Sequence, residues 1–441
     1  MASTYLSKSS YGTPTNNKIF TFSCWIKRNG LGDERIFDFW QGGASPFSYG
    51  NGLFFTGSDQ LGLGSGDSGN GRIITNRVFR DTSAWYHIVA VQDTTNSTAS
   101  DRLKLYVNGE RETSFSASVD AVLNAEYQAF RSDVGGIGTY YDKSTSSLFF
   151  DGSMSHVHFI DGTAYDASAF GSTDATTGEW KINTSPSVTY GTNGFFILKD
   201  GNSVTDQSGN SNNFTVGSGT LTKTEDCPSN VFATFNPLIK VWASTTTLSN
   251  GNTTVTNSDS SDGSPPTTIG ATSGKYYWEM KKENTPDVFI GVCGDGFVSD
   301  NLTNNYSGVT SNATTGLLVY NSSGDKVVNG STSSSFFTSY GAGDIIGIAI
   351  DLDATTRTVT FYKNGVVDSQ GAQNLPTNMQ SGAVFGVAIV DDSATVSANF
   401  GNGYFGTTAV ASAGTNASGI GIFEYDVPTG YTALSTKGLN L

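Results

Sequence analysis

At 441 residues the chain is too long for one hydrophobic core and fits two or three domains of ordinary size. Charged residues make up only 14% and aromatics reach 12%, which excludes a disordered chain, while 53 glycines suit short strands joined by many turns. The net charge of −15, with no Lys/Arg cluster denser than EMKKEN, makes nucleic acid and membranes poor partners and leaves neutral glycans or protein surfaces open.

The opening residues MASTYLSKSS lack the basic and apolar regions of a signal peptide, and no apolar run approaches membrane-spanning length. Synthesis in a cytoplasm without secretory export is therefore expected. Residues 19–27 alternate, with Phe20, Phe22, Cys24 and Ile26 on one face and Thr21, Ser23 and Lys27 on the other, the pattern of a half-buried strand. Residues 85–91 and 103–107 read the same way, and the second run ends in Asn108-Gly109, a strong signal for a two-residue hairpin turn. Further strands are expected at residues 35–39, 52–56, 148–151 and 156–160. Residues 120–130 form the one plausible short helix.

From about residue 191 to 237 turn formers dominate, as in GNSVTDQSGNSNNF, and this stretch reads as a connector. A second strand-rich block begins near Ser273. In residues 343–365, Ile346, Ile348, Ile350 and Leu352 share a face, Val359 and Phe361 return, and Asn364-Gly365 closes another hairpin. Residues 383–390 and 396–400 supply two more strands. The fold class is thus all-β: a first β-sandwich in residues 1–200, a Gly/Ser/Asn-rich connector in 201–237 and a second sandwich in 238–441.

Ordered segments carry two resemblances. FTFSCWIKR, WYHIVAVQD, LKLYVNGE and FFDGSMSHVHFIDGTAYDASAFG, in that order, resemble the laminin-G-like, concanavalin-A-type jelly roll. GKYYWEM, FIGVC, GDIIGIAIDLDATTRTVTFYKNG and VSANFGNGYF resemble the SPRY domain, although residues 294–337 are longer and more polar than that pattern predicts. The run TDATTGEWKI, YGTNGFFILKD and DQSGNSNNFTV, together with the ending FEYDVPTGYTALSTKGLN, is similar to structural proteins of tailed phages, marine phages especially. The resemblance implies a virion surface protein that leaves the cell by lysis. Both folds host many ligands, so the motifs mark fold more than function.

Catalytic chemistry finds little support. The three histidines are His87, His156 and His158; the last two could place imidazoles on a metal with Asp151 or Asp161, but an i, i+2 pair on one strand face is more simply structural. No Glu-x-Asp-x-x-Glu string supplies the paired carboxylates of a glycanase, and the Asp-box-like STDATTGEW has its glycine two positions late. Cys24, Cys227 and Cys293 are too far apart for a disulfide framework or zinc spacing, and Cys24 and Cys293 read as small core residues. The jelly-roll resemblance implies a structural Ca²⁺ at the sandwich rim, for which the turns GSGDSGNG and IDLDATT offer oxygens, without assignable ligands. Aromatic plates for sugar stacking are sought in Gly/Ser/Asn-flanked loops, and the candidates are Tyr49, Tyr140, Tyr141, Tyr306 and Tyr340. Trp25, Trp85 and Trp278 lie within strands and read as core or inter-sheet residues.

The expectation is a non-enzymatic virion protein, a tail-fibre, head-fibre or decoration component, acting as a homo-oligomer among other virion proteins and touching host-surface glycan or protein. One alternative is a purely architectural capsid or tail protein packed against virion neighbours. The other is a glycan-cleaving enzyme, for which no acid pair can be nominated.

Overall fold

The computed structural model describes residues 3–38, 52–64, 71–127, 130, 135–141, 146–199, 203–239, 245–260, 262–301 and 316–441. They form two compact units, Met1–Lys223 and Thr224–Leu441, each built from its own packed sheets.

The first unit pairs a six-stranded with an eight-stranded sheet. The six-stranded sheet runs Phe195–Ile197, Gly152–Asp161, Ile19–Arg28, Trp85–Asp93, Leu103–Val107, Glu110–Arg111. The other runs Phe115–Val119, Arg72–Val78, Gln60–Gly64, Gly52–Phe55, Glu34–Asp38, Gly135–Ile137, Tyr5–Lys8, Thr215–Ser218. The two-residue period decides what lies between them. Phe20, Phe22, Cys24 and Ile26 point inward with Ile88, Ala90, Leu105 and Phe159, as the alternation predicts. Asn108 and Gly109 both have positive φ, 48° and 86°, the geometry that lets a two-residue turn follow the twist of its strands.

At one end of this sandwich Arg28 is fully buried, and burial of a charge demands partners. Its guanidinium donates to Glu34 and Asp59, both at 3.2 Å, and to the carbonyl of Phe79 at 2.8 Å, and it lies 4.1 Å over the Phe55 ring. Desolvation pushes the Glu34 carboxyl up to about 8 despite that guanidinium.

Three expectations for this half are corrected. Residues 121–127 are not helical, because their backbone groups bond elsewhere: the Asn124 amide to the Thr94 carbonyl, the Tyr127 amide to Asn17, and the Ala121 carbonyl to Arg102. Residues 148–151 are not a strand: Leu148 is left-handed at φ 50°, and the Phe150 amide turns to the Gly138 carbonyl. The stretch taken as a connector has no independent existence. Thr215–Ser218 is an edge strand on Tyr5–Lys8, and Phe214 sits in the first core. Beyond Lys223, Phe232 and Phe235 belong to the second core. Turn formers there build Asx turns; Asp206, for example, accepts from the amides of Phe196, Ser208 and Asn212.

In the second unit one sheet runs Thr246–Ser249, Thr254–Asn257, Thr395–Asn399, Lys275–Lys282, Ile345–Asp351, Thr358–Lys363, Val366–Val367. Thr432–Ala433 joins it in parallel beside Lys275–Lys282. The facing sheet runs Pro266–Ala271, Val384–Val390, Val288–Gly294, Leu317–Asn321, Lys326–Val328, Ser331–Ser333. Between them lie Trp278, Met280, Ile346, Ile348, Ile350, Val359 and Phe361, and Asn364-Gly365 is again a positive-φ turn at 49° and 79°. The one α-helix among the described residues, Asp295–Asn301, lies over the outer side of the six-stranded sheet, where Phe297 packs with Cys293 and Val319. Cys24 and Cys293 are fully buried, and desolvation pushes both thiols well above their usual range.

Candidate binding surfaces

A β-sandwich can meet a partner on an outer sheet face, along an edge or at its loop rims. In the first unit the outer face of the six-stranded sheet is taken. Val89, Val91 and Ile160 point away from the main core and are buried under Ala167 and Phe170, with Tyr165, Trp180, Val188 and Tyr190 packed around them. Residues 163–190, including the hairpin Gly171–Thr173/Trp180–Ile182, therefore form a roof over this face.

All three histidines lie under or beside that roof. Trp180 Nε1 donates to His87 Nδ1 at 2.9 Å, and because an indole can only donate, the His87 hydrogen sits on Nε2 and is given to Ser23 Oγ at 2.9 Å. The ring stacks on Trp25 at 5.0 Å and meets Trp180 edge to edge, with ring centroids 5.9 Å apart. Desolvation lowers His87 to about 3, so it is neutral. His158 Nδ1 lies 2.9 Å from the Tyr190 hydroxyl and its ring stacks on Phe196 at 3.9 Å. Burial holds it well below the usual imidazole value, with His156, His87 and Lys199 adding in the same direction. A β-bulge interrupts the alternation on which the pairing of His156 with His158 was expected, yet both rings lie against Phe196, at 5.7 and 3.9 Å. The register with Ile19–Arg28 slips between Ser155 and His158, and His156 has φ 48°.

The Asp-box-like string lies in this roof. Asp174 accepts from the amides of Thr176 and Thr177 and from Lys181 Nζ at 2.7 Å, which holds its carboxyl well below the usual range and closes the hairpin turn.

The second unit is closed similarly by its own C-terminal stretch. Glu279 alternates with Trp278 and so points away from the core, yet it is fully buried. It accepts from the amides of Glu424 and Tyr425, both at 2.9 Å, from the Tyr277 hydroxyl at 3.2 Å and from Asn399 Nδ2 at 3.3 Å. Desolvation outweighs these four donors and pushes the carboxyl up to about 7. Phe423 packs edge-on to Tyr277 at 5.2 Å. The local pattern KYYWEMKK holds only the Tyr277 donor; the two backbone amides lie 145 and 146 residues away and leave no signal in it.

The tyrosine candidates fare unevenly. Tyr49 and Tyr306 lie outside the described residues. Tyr141 pairs with Ser146 in a two-strand ribbon. Tyr140 and Tyr340, read as exposed plates, are buried at 3% and 4% exposure. The Tyr340 hydroxyl donates toward the carbonyls of Tyr320, at 2.9 Å, and Val288, at 3.2 Å, and its ring packs edge-on to Tyr320, so it cannot stack on a sugar as placed. In the turn IDLDATT, Asp351 accepts from the amides of Asp353 and Ala354 and pairs with Lys275 at 2.8 Å, and Asp353 accepts from Gly274. Most of GSGDSGNG lies outside the described residues. Among the described residues no group of three His, Cys, Asp or Glu side chains is placed to hold a metal ion. Trp278 is core, whereas Trp25 and Trp85 are buried on the outer side of their sheet.

With that geometry in place, comparison with known families identifies both halves. Residues 2–168 match the concanavalin A-like lectin/glucanases superfamily, and residues 275–403 match the SPRY domain. The chain thus carries a concanavalin A-like domain, of a superfamily that holds both lectins and glucanases, followed by a SPRY domain. Among solved structures, the SPRY domain of human HERC1 is similar at 18% identity, covering 37% of this chain and 96% of that one, with a TM-score of 0.29. The TRIM65 PSpry domain is similar at 14% identity, covering 38% and 91%, with a TM-score of 0.28. No curated protein matches the chain. No helix among the described residues is long and apolar enough to cross a membrane.

Proposed function

We propose that this protein is a non-enzymatic binding component of a tailed-phage virion surface, in a fibre or decoration role, that adheres to host-surface glycan or protein. The observation that carries the reading is the tandem of a concanavalin A-like and a SPRY domain in one chain. The covered outer face of the first unit's six-stranded sheet adds to it, since a partner must then be met elsewhere, at loop rims, edges or the other sheet. The virion setting rests on the ordered likeness to phage structural proteins in TDATTGEWKI and the C-terminal stretch. Adhesion would be multivalent: one shallow sugar site of about millimolar affinity contributes roughly −4 kcal/mol, and linked copies in a homo-oligomer raise avidity by on the order of 10²–10⁴.

The test is binding of labelled protein to intact candidate host cells, competed with purified surface polysaccharide. Saturable binding displaced by polysaccharide supports glycan adhesion, and binding displaced only by protease treatment of the cells supports a protein receptor. Absence of binding to every susceptible host would favour the architectural reading.

A further inference from the structure

We propose that the roof formed by residues 163–190 is a proton-released flap, whose opening from the six-stranded sheet becomes easier as pH falls below neutrality. Thr21 bonds the Thr163 carbonyl and the Tyr165 amide, and the Asp161 amide bonds the Tyr190 carbonyl, which ties down the two ends of the roof, while the two side-chain contacts made by Trp180 and Tyr190 run through imidazoles on the sheet. Trp180 Nε1 needs a lone pair on His87 Nδ1, and protonation would set two donors against each other in a site closed to water. Tyr190 makes the second contact, to His158 Nδ1. Between the tied ends, apolar burial supplies much of the remaining contact, chiefly Phe170 and Ala167 on Val89, Val91 and Ile160.

Among the described residues, no carboxylate is bonded to the His87 or His158 ring. His87 faces Ser23 and Trp25 from the neighbouring strand and Phe170 and Trp180 from the roof. The roof's nearest charges to Trp180, Glu179 and Lys181, flank it in sequence, and Lys181 is paired with Asp174. His158 faces Phe196, Phe170, Tyr190 and His156, with Lys199 acting on it and Asp206 acting on Tyr190. Asp161, where the sheet passes into the roof, is occupied by the amides of Thr15 and Asn193 and the Tyr127 hydroxyl. Both imidazoles are held neutral when the roof is closed and regain ordinary basicity when it opens, so open states take up protons that closed states refuse. With an ordinary value near 6.5, lowering pH from 7 to 5 raises the opening constant roughly 25-fold per freed imidazole and roughly 600-fold for two.

Hydrogen exchange of the full chain between pH 7 and 5, corrected for intrinsic exchange chemistry, tests this at the amides of Phe170 and Asn183, which are bonded inside the roof. The expected result is an opening constant rising by two to three orders of magnitude, to a value distinct from that of the sheet amides in Ile19–Arg28. In the double variant His87→Gln/His158→Gln, whose amides do not titrate, the rise should flatten while roof protection at pH 7 persists. Roof amides insensitive to pH in the unaltered chain, or exchanging with the same constant as Ile19–Arg28 at every pH, would overturn the proposal. The pH series alone decides if the double variant fails to fold.

Discussion

Trp278 and Glu279 are chain neighbours with opposite demands, and the strand between them satisfies both. Trp278 fills the second core, where truncation leaves a cavity that close-packed neighbours fill only in part. Trp278→Ala should cost about 3–5 kcal/mol, read as a lowered denaturation midpoint for the SPRY unit. Glu279 carries the pH dependence. Its carboxyl titrates at about 7 in the folded chain and near 4.5 when unfolded, so the folded state holds its proton longer. Its contribution is full below about pH 4.5 and is lost as pH rises through 7, by up to about 3 kcal/mol. Exchange of the Lys275–Lys282 amides should therefore speed up from pH 4.5 to 7 in excess of intrinsic chemistry, and Glu279→Gln should remove that excess. His87 works in the opposite sense: its buried neutral ring contributes stability that is full above 6.5 and is lost progressively as pH falls from there toward 3.

At the scale of elements, alternation was legible wherever one face is buried, and the two Asn-Gly turns were legible because few dipeptides accept positive φ twice. What escaped was long-range closure. The roof depends on a Trp180–His87 contact spanning 93 residues, and the Glu279 lock on amides 145 residues away, and neither leaves a periodic trace nearby. The burial of Tyr340 was hidden for a related reason: flanking Gly and Ser mark a turn, but Tyr340 dips from its turn into the core. Hairpin and roof are linked at Gly109, where an added Cβ would lie 2.4 Å from the Trp180 ring at φ 86°. Gly109→Ala should cost about 1–2 kcal/mol from backbone conformation alone and also loosen the roof, seen as faster exchange at Asn183. In the second unit, Phe423→Ala should cost about 3–5 kcal/mol, since this ring of the C-terminal stretch is a buried core residue.

At the scale of the whole molecule, two cores meet the expectation for a chain of this length, and the division falls between Lys223 and Thr224 rather than in a linker. Residues 1–223 and 224–441 should each fold alone and show its own cooperative unfolding, because each keeps every strand of its sheets. The functional reading is that these sandwiches hold a partner without transforming it. The most direct measurement follows host-surface polysaccharide with the full chain, recording binding by calorimetry and new reducing ends in the same sample. The expected result is saturable binding with polysaccharide chain length unchanged after prolonged incubation. Accumulation of reducing ends in proportion to protein and time would contradict it.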